Sequence, residues 1–187
     1  MSRLQLKKEL AAMDTMQLRE LILEIYDARK EAKEYLEFYL NPDIRKLTDK
    51  YKAAVEKEAT RVSRRRVSPR MSRIKKSIKE YASFGMGKEY EIEMMLYALG
   101  LLIPLGGKYW LKETLSTSIE RFMTETLKAA DIAGMADVAF PRIGSLIRQL
   151  PSPVSERDSF KSDLILAYSN YTPSTESQMQ TFSKKQP

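Results

Sequence analysis

The sequence predicts an all-α protein, a compact bundle of about eight antiparallel helices with a central apolar helix. Helix-favouring residues are abundant, whereas the 187 residues include only seven Gly and eight Pro. Apolar residues recur every three or four positions, and no stretch sustains the apolar-polar alternation of a strand. No internal repeat is visible, so a helical-hairpin solenoid is the lesser alternative.

Three short helices are predicted before residue 44. Residues 4–12 can form the first, and Asp14 with Gln17 has the spacing of a capping box at the start of the second, over residues 15–28. The second helix has an apolar stripe at helical spacing, formed by Leu18, Leu21, Ile22 and Ile25. A third helix, or an extension of the second, carries Ala32, Tyr35, Leu36 and Tyr39 and stops at Asn41-Pro42-Asp43.

Two further helices are predicted to begin at a Pro that follows a capping residue. Asn41 and Pro42 precede a helix of about 15 residues with an apolar stripe, made of Ile44, Leu47, Tyr51, Ala54 and Val55. Ser68 and Pro69 repeat this arrangement before a helix that ends at residues 85–87, because Gly accepts the left-handed conformation of a helix C-terminus.

The central helix begins near Lys88 and is apolar on all sides after Glu93, as expected of a helix in the middle of a bundle. Its uncharged run, residues 94–105, is shorter than the roughly 20 residues that span a bilayer. We therefore predict no membrane span, with a re-entrant or membrane-surface position as the alternative. Pro104 and Gly106-Gly107 end this helix.

Three more helices are expected after the central one. Thr117 and Glu120 have capping-box spacing at the start of the first, which Gly134 separates from the next. Pro141 can open the second, and the last is predicted over residues 156–169. A polar segment follows, so we predict one helical domain over residues 1–169 and a mobile polar tail over residues 170–187.

The feature most suggestive of function is the basic stretch, residues 61–79, RVSRRRVSPRMSRIKKSIK. It holds nine Lys or Arg and no Asp or Glu, whereas the whole chain has a net charge of only +7. The basicity is therefore local, and a local field of this density attracts polyanions or an acidic surface. The predicted nucleic-acid or anion-binding residues are Arg61, Arg64, Arg65, Arg66, Arg70, Arg73, Lys75 and Lys76.

Catalysis is not favoured by the composition. The chain has no Cys and no His, and therefore lacks a thiolate nucleophile as well as the commonest general base and metal ligand. Glu20 with Glu24, and Glu89 with Glu93, share helix faces, but a di-iron bundle needs Glu-x-x-His motifs. We expect no cofactor and no metal. An enzyme that uses carboxylates or Lys is a third possibility, behind a binding module and a structural or scaffolding protein.

The leading interpretation is a non-enzymatic module whose basic stretch engages an anionic partner, either nucleic acid or an acidic protein surface. No helix-turn-helix, RNA-recognition or zinc-finger signature accompanies the stretch. The alternative is a structural or scaffolding protein that self-associates as a homo-oligomer through apolar helix faces, with the basic stretch only a solvated face. The tyrosines at 26, 35, 39 and 51 are most simply core or core-edge aromatics, with base stacking as the alternative. The N-terminus lacks the apolar run of a signal peptide, so we expect a cytoplasmic protein.

The opening segment, LKKELAAMDTMQLRELILEIYDARKEAKEYLEFYLNPD, resembles that of a family of uncharacterised bacterial proteins. The shared motifs are a Leu-Lys-Lys-Glu-Leu helix, a Leu-x-x-Leu-Ile-x-Glu-x-Tyr helix and a Tyr-Leu-x-Phe-x-Leu-Asn-Pro-Asp corner, here at residues 6–10, 18–26 and 35–43. Residues 68–85, SPRMSRIKKSIKEYASFG, are similar to that family's basic helix. The resemblance spans about the first 110 residues and implies an all-helical domain of unknown function, without a site to carry over.

Overall fold

Helices account for most of the computed structural model, which describes residues 1–63, 66–152 and 159–171. The described residues form ten helical segments instead of about eight, and one two-stranded ladder, so the all-α prediction is confirmed. The helices are α1 Arg3–Ala12, α2 Thr15–Ala28, α3 Lys30–Leu40, α4 Ile44–Ala59, α5 Met71–Ala82, α6 Lys88–Leu102, α7 Leu105–Lys108, α8 Glu113–Ile132, α9 Ala136–Arg148 and α10 Phe160–Ser169, and the strands are β1 Val62–Ser63 and β2 Arg66–Val67.

The contacts within the chain group it into two compact units, Met1–Ile44 and Arg45–Pro187. The single domain expected over residues 1–169 stays a prediction. No helix in the described ranges is both long enough and apolar enough to cross a membrane.

The first unit contains α1 and a hairpin of α2 and α3. The predicted capping box is present, since the Gln17 amide donates to Asp14 at 2.8 Å and the Asp14 amide donates to the Gln17 side chain at 3.0 Å. Arg29 has extended backbone angles, so α3 is a separate helix and not an extension of α2. The Tyr26 hydroxyl donates to Glu37 at 3.1 Å and joins the two helices.

The core of the second unit is built around α6, as the sequence predicts. Seven of its side chains are buried, and α6 packs against α5, α8 and α9. The largest buried contributions from the neighbouring helices include Ile74 and Tyr81 of α5 and Phe122 and Met123 of α8. Tyr51 of α4 is also buried, where its ring contacts those of Tyr81 and Phe84. Its interpretation as a core aromatic is confirmed.

Both helix starts that were predicted at a Pro after a capping residue differ from the structure. The helix α4 begins at Ile44, two residues after Pro42. At α5, tertiary contacts override the local signal. The helix α5 begins at Met71 without a side-chain cap, so Ser68 and Pro69 precede it and do not cap it. The backbone there is held by hydrogen bonds to the backbone of earlier residues. The Ser68 N–H donates to the carbonyl oxygen of Arg61 at 2.8 Å, and the Arg70 N–H donates to the carbonyl oxygen of Glu58 at 3.2 Å. These bonds keep the segment from entering the helix sooner.

The later helices also differ from the expected boundaries. Thr117 lies inside α8, which begins at Glu113, so the predicted capping box with Glu120 is wrong. Pro141 lies in the interior of α9 and does not open it. The predicted helix start at residue 156 lies outside the described residues. In the described residues, α10 begins at Phe160.

Only residues 170 and 171 of the predicted polar tail lie in the described part of the chain. The Tyr171 ring packs 5.3 Å from that of Phe140, and its hydroxyl donates to Asp131 at 3.3 Å. Burial, together with the Asp131 carboxylate, raises the pKa of Tyr171. The start of this segment is therefore held against α8 and α9.

Candidate anion-binding groove

The basic stretch, residues 61–79, divides into a β-hairpin and the helix α5. The strands β1 and β2 pair antiparallel, with Val62 opposite Val67 and Ser63 opposite Arg66. Two-residue strands are too short to show an alternating pattern in the sequence, which explains why no strand was predicted in this segment. Arg64 and Arg65, two of the predicted site residues, lie outside the described residues.

Three of the predicted site residues are held by carboxylates. The Arg70 guanidinium makes a two-pronged contact with Glu58 of α4, at 2.5 and 2.7 Å. Lys75 donates to both carboxylate oxygens of Glu125 on α8, at 2.6 and 2.9 Å. Lys76 lies 3.5 Å from Glu80, one turn further along α5. The helix half of the basic stretch is therefore largely neutralised in place.

The pair formed by Arg70 and Glu58 also affects the ionisation of both groups. Its hydrogen bond, reinforced by the guanidinium charge, lowers the pKa of Glu58 below its usual value. The same hydrogen bond raises the pKa of Arg70. Both shifts favour the charged pair, as expected when an ionised acceptor meets a planar two-pronged donor.

The remaining described members of the predicted set have different positions. Arg61 is half-buried and donates to the backbone carbonyl of Ser68 at 3.3 Å, so it helps to close the hairpin. Arg73 on α5 and Arg66 on β2 are exposed, and neither forms an ion pair with a carboxylate of the described residues. Arg66 is the predicted residue that lines the groove described next.

An open groove of about 1350 Å³ lies between the hairpin and the segment from residue 108 to residue 118. We call it the basic groove. Three cations line it, Arg66, Lys108 and Lys112, and no Asp or Glu is among its described lining residues. None of the three cations pairs with a carboxylate in the described ranges. Four hydroxyl side chains also face it, those of Ser63, Ser68, Thr114 and Ser118.

Two aromatic side chains complete the basic groove, and both are exposed. Tyr109 is 50% exposed and Trp110, the single tryptophan of the chain, is 73% exposed. They follow the one-turn helix α7, where the Tyr109 amide donates to Leu105 at 2.8 Å before the backbone becomes extended. The half-buried Leu111 lies between Trp110 and Lys112.

The position of this aromatic segment depends on close packing of α7. A methyl group at Gly106 would overlap the ring of Phe160, and one at Gly107 would lie 2.7 Å from Pro151. The backbone of α7 thus lies directly against these side chains, and glycine is what permits the approach. Gly106 and Gly107, which were predicted to end the central helix, belong to this one-turn helix, and it presents Lys108 to the basic groove.

Lys108, Tyr109, Trp110 and Lys112 were not predicted as site residues, because they lie outside residues 61–79, where the density of positive charge is highest. A signal was present in the run Lys-Tyr-Trp-Leu-Lys, in which basic residues flank aromatic ones directly after a turn. Such interleaving is typical of surfaces that contact both phosphates and bases.

The carboxylate pairs considered for catalysis do not form a metal site in the described ranges. Glu93 binds Arg142 of α9 at 2.7 and 2.8 Å. No group of three or more acidic side chains that could hold a metal ion occurs among the described residues.

Comparison with known proteins gives one match. Residues 1–131 match the model of a family described as a family of unknown function, DUF6155, and this range includes every described residue of the basic groove. No curated protein and no solved structure matches the chain.

Proposed function

The chain belongs to the DUF6155 family of unknown function, and we propose that it binds the phosphate backbone of a nucleic acid in the basic groove. One observation carries the proposal. Arg66, Lys108 and Lys112 share an open groove and pair with no carboxylate of the described residues, whereas Arg70, Lys75 and Lys76 are paired. Cations that have no protein counterion are available to a ligand, and their combined field attracts a polyanion.

The N-terminus of α8 supports the same ligand chemistry. This helix of 20 residues begins after Lys112, and no side chain caps its first amides. The amides and the helix dipole add partial positive charge where Thr114 lines the groove. Glu113 in the first turn offsets part of that charge, but it does not line the groove.

A salt-dependent titration tests this proposal. Labelled single- and double-stranded oligonucleotides are titrated at 50 and 200 mM salt with the full chain and with the triple variant Arg66→Ala, Lys108→Ala, Lys112→Ala. For three phosphates neutralised, single-strand affinity falls with a logarithmic slope of about −2, or roughly 20-fold over this salt range. We expect the triple variant to bind weakly and to lose most of that slope.

A matched control removes three positive charges elsewhere, through Lys79→Ala, Lys128→Ala and Arg148→Ala. These residues are exposed, and Lys128 lies about 22 Å along α8 from its start. The control should bind almost as tightly as the unaltered chain, because position and not net charge is what the proposal concerns. Equal loss in both triple variants, or no binding at 50 mM salt, would reject the basic groove as the site.

Self-association through the first unit is a second candidate function. No residue from 1 to 44 is buried, although α2 and α3 carry complete apolar stripes. Leu18 and Leu21 are half-buried, while Ile22 and Ile25 on the same stripe are 49% and 43% exposed. Each stripe is thus only partly covered, which favours a further partner for this hairpin.

A further inference from the structure

We infer that the nucleic acid bound in the basic groove is single-stranded and that Trp110 stacks on one of its unpaired bases. This inference rests on the proposed function and specifies its ligand. The observation behind it is the exposure of Trp110, a large apolar side chain at the protein surface. Trp110 is 73% exposed and has no aromatic partner among the described residues, so it contributes little to the core.

Other large aromatic residues of the same unit are used differently. Tyr51, Tyr81 and Phe122 are buried, and Phe140 packs against Tyr168. Exposing an indole leaves a large apolar surface in water, and an indole can recover that loss when a flat apolar partner covers its face. The ring of a nucleobase is such a partner, and every base offers one.

The basic residues on either side of Trp110 can contact the phosphates of a nucleotide whose base stacks on the indole. Lys108 and Lys112 lie two positions before and after it, so that their Cα atoms are at most about 14 Å apart. Both line the same groove as the indole. A strand that places a base on Trp110 can therefore place its flanking phosphates near a lysine on each side, and Arg66 lines the same groove.

The use of a ring face distinguishes single strands from duplexes. In a duplex the base faces are stacked on each other, so that only base edges and the backbone are accessible to a protein. Unpaired bases can turn their faces to an aromatic side chain. The phosphates of a double strand could bind the three cations, but its bases would leave the indole uncovered. A single strand can bind the cations with its phosphates and also stack a base on the indole.

The single tryptophan makes the test direct, because all tryptophan fluorescence arises from this site. The full chain is titrated at low salt with an oligothymidylate of about 12 nucleotides, a length that one small single-strand-binding domain covers. The same titration is made with a duplex and with polyglutamate. We expect the oligothymidylate to quench the fluorescence and shift its maximum, and the duplex and polyglutamate to leave it nearly unchanged.

Two variants separate stacking from charge, with affinity measured by anisotropy of a labelled strand. Trp110→Ala should weaken single-strand binding about 5- to 150-fold, the loss typical of one base–aromatic stack. Its salt slope should not change. Trp110→Phe keeps a ring and should recover most of the affinity. Because the side chain is exposed, both variants should fold, which circular dichroism checks.

Each other outcome has a defined meaning. Full affinity in Trp110→Ala, with loss only in the variant of the three cations, would overturn the stacking inference and leave the proposed function in place. Tighter binding of the duplex than of the single strand would also overturn it. Binding of polyglutamate as tight as that of the oligothymidylate would assign the groove to acidic surfaces. No binding of any nucleic acid would remove the proposed function itself.

Discussion

The role of a basic side chain in this protein depends on what lies opposite it. Arg66 and Arg70 are four positions apart in one cluster, yet Arg70 is fixed by Glu58 and Arg66 faces an open groove. A planar guanidinium held by two hydrogen bonds to a carboxylate has little capacity left for a phosphate. The charge of residues 61–79 that is available for binding is therefore smaller than the sequence suggests.

The pair formed by Arg70 and Glu58 should make stability depend on pH in a specific direction. The pKa of Glu58 in the native state is lowered from 4.5. The contribution of the ionised Glu58 to the free energy of unfolding is therefore complete above pH 4.5 and is lost as the pH falls through the native pKa. We expect Glu58→Gln to melt at a lower temperature than the unaltered chain at pH 7. The two melting temperatures should converge as the pH falls below 4.5.

Arg70→Gln provides the matched comparison, since it removes the same hydrogen bond from the other side. It should show the same convergence in thermal unfolding followed by circular dichroism between pH 7 and pH 3. A difference in melting temperature that stays constant across this range would contradict the prediction, because the stability that the pair contributes would then not depend on the ionisation of Glu58.

The partners of these cations mark the limit of residue-level prediction. The positive charges were visible in the sequence, but Glu58 lies 12 positions from Arg70 and Glu125 lies 50 positions from Lys75. No local pattern reports such a separation. Lys108 and Lys112 have a local signal in the aromatic residues between them, but only the fold brings them into one groove with Arg66.

At the level of the helices, periodicity predicted the elements and failed at their ends. The apolar stripes of α2 and α4 and the all-round apolar surface of α6 follow from residue spacing. The helix α5 ends at Ala82, three residues before Gly85, whose φ is 73°. The start of α5 was wrong because backbone bonds from Ser68 and Arg70 to earlier residues compete with the helix. Capping patterns predict helix starts only where such bonds are absent.

Two glycines in neighbouring helices should respond in opposite ways to the same substitution. A methyl group at Gly100 in α6 would meet nothing within 4 Å, so Gly100→Ala should stabilise the chain by about 0.5–1 kcal/mol. The same group at Gly106 in α7 would overlap the ring of Phe160, so Gly106→Ala should cost about 1–3 kcal/mol. Urea unfolding measures both.

The Gly106 variant should also affect the basic groove, because α7 positions Lys108 and the aromatic residues that follow it. We expect Gly106→Ala to weaken oligonucleotide binding, while Gly100→Ala leaves it unchanged. Similar unfolding free energies for the two variants would show that the Phe160 side chain moves away at little cost, and that α7 is not held as closely as described.

Charge is distributed unevenly over the whole molecule. Residues 1–44 hold seven Lys or Arg and nine Asp or Glu, whereas residues 45–187 hold 25 and 16. The first unit is thus slightly acidic, and the second carries the positive charge that attracts a polyanion. The two units suit different interactions, an apolar one for the hairpin of α2 and α3 and an electrostatic one for the basic groove.

Self-association through the first unit should therefore depend on salt in the opposite way to nucleic-acid binding. Segments of about 40 residues rarely bury enough surface to fold alone, and the exposed Ile22 and Ile25 offer the apolar face that a second copy can cover. We expect sedimentation to show an oligomer that persists or strengthens as salt rises.

The double variant Ile22→Glu, Ile25→Glu should be a monomer, whereas Leu4→Glu, Leu6→Glu, on exposed positions of α1, should not change the assembly. A monomeric unaltered chain at all salt concentrations would eliminate self-association and leave nucleic-acid binding as the function to pursue.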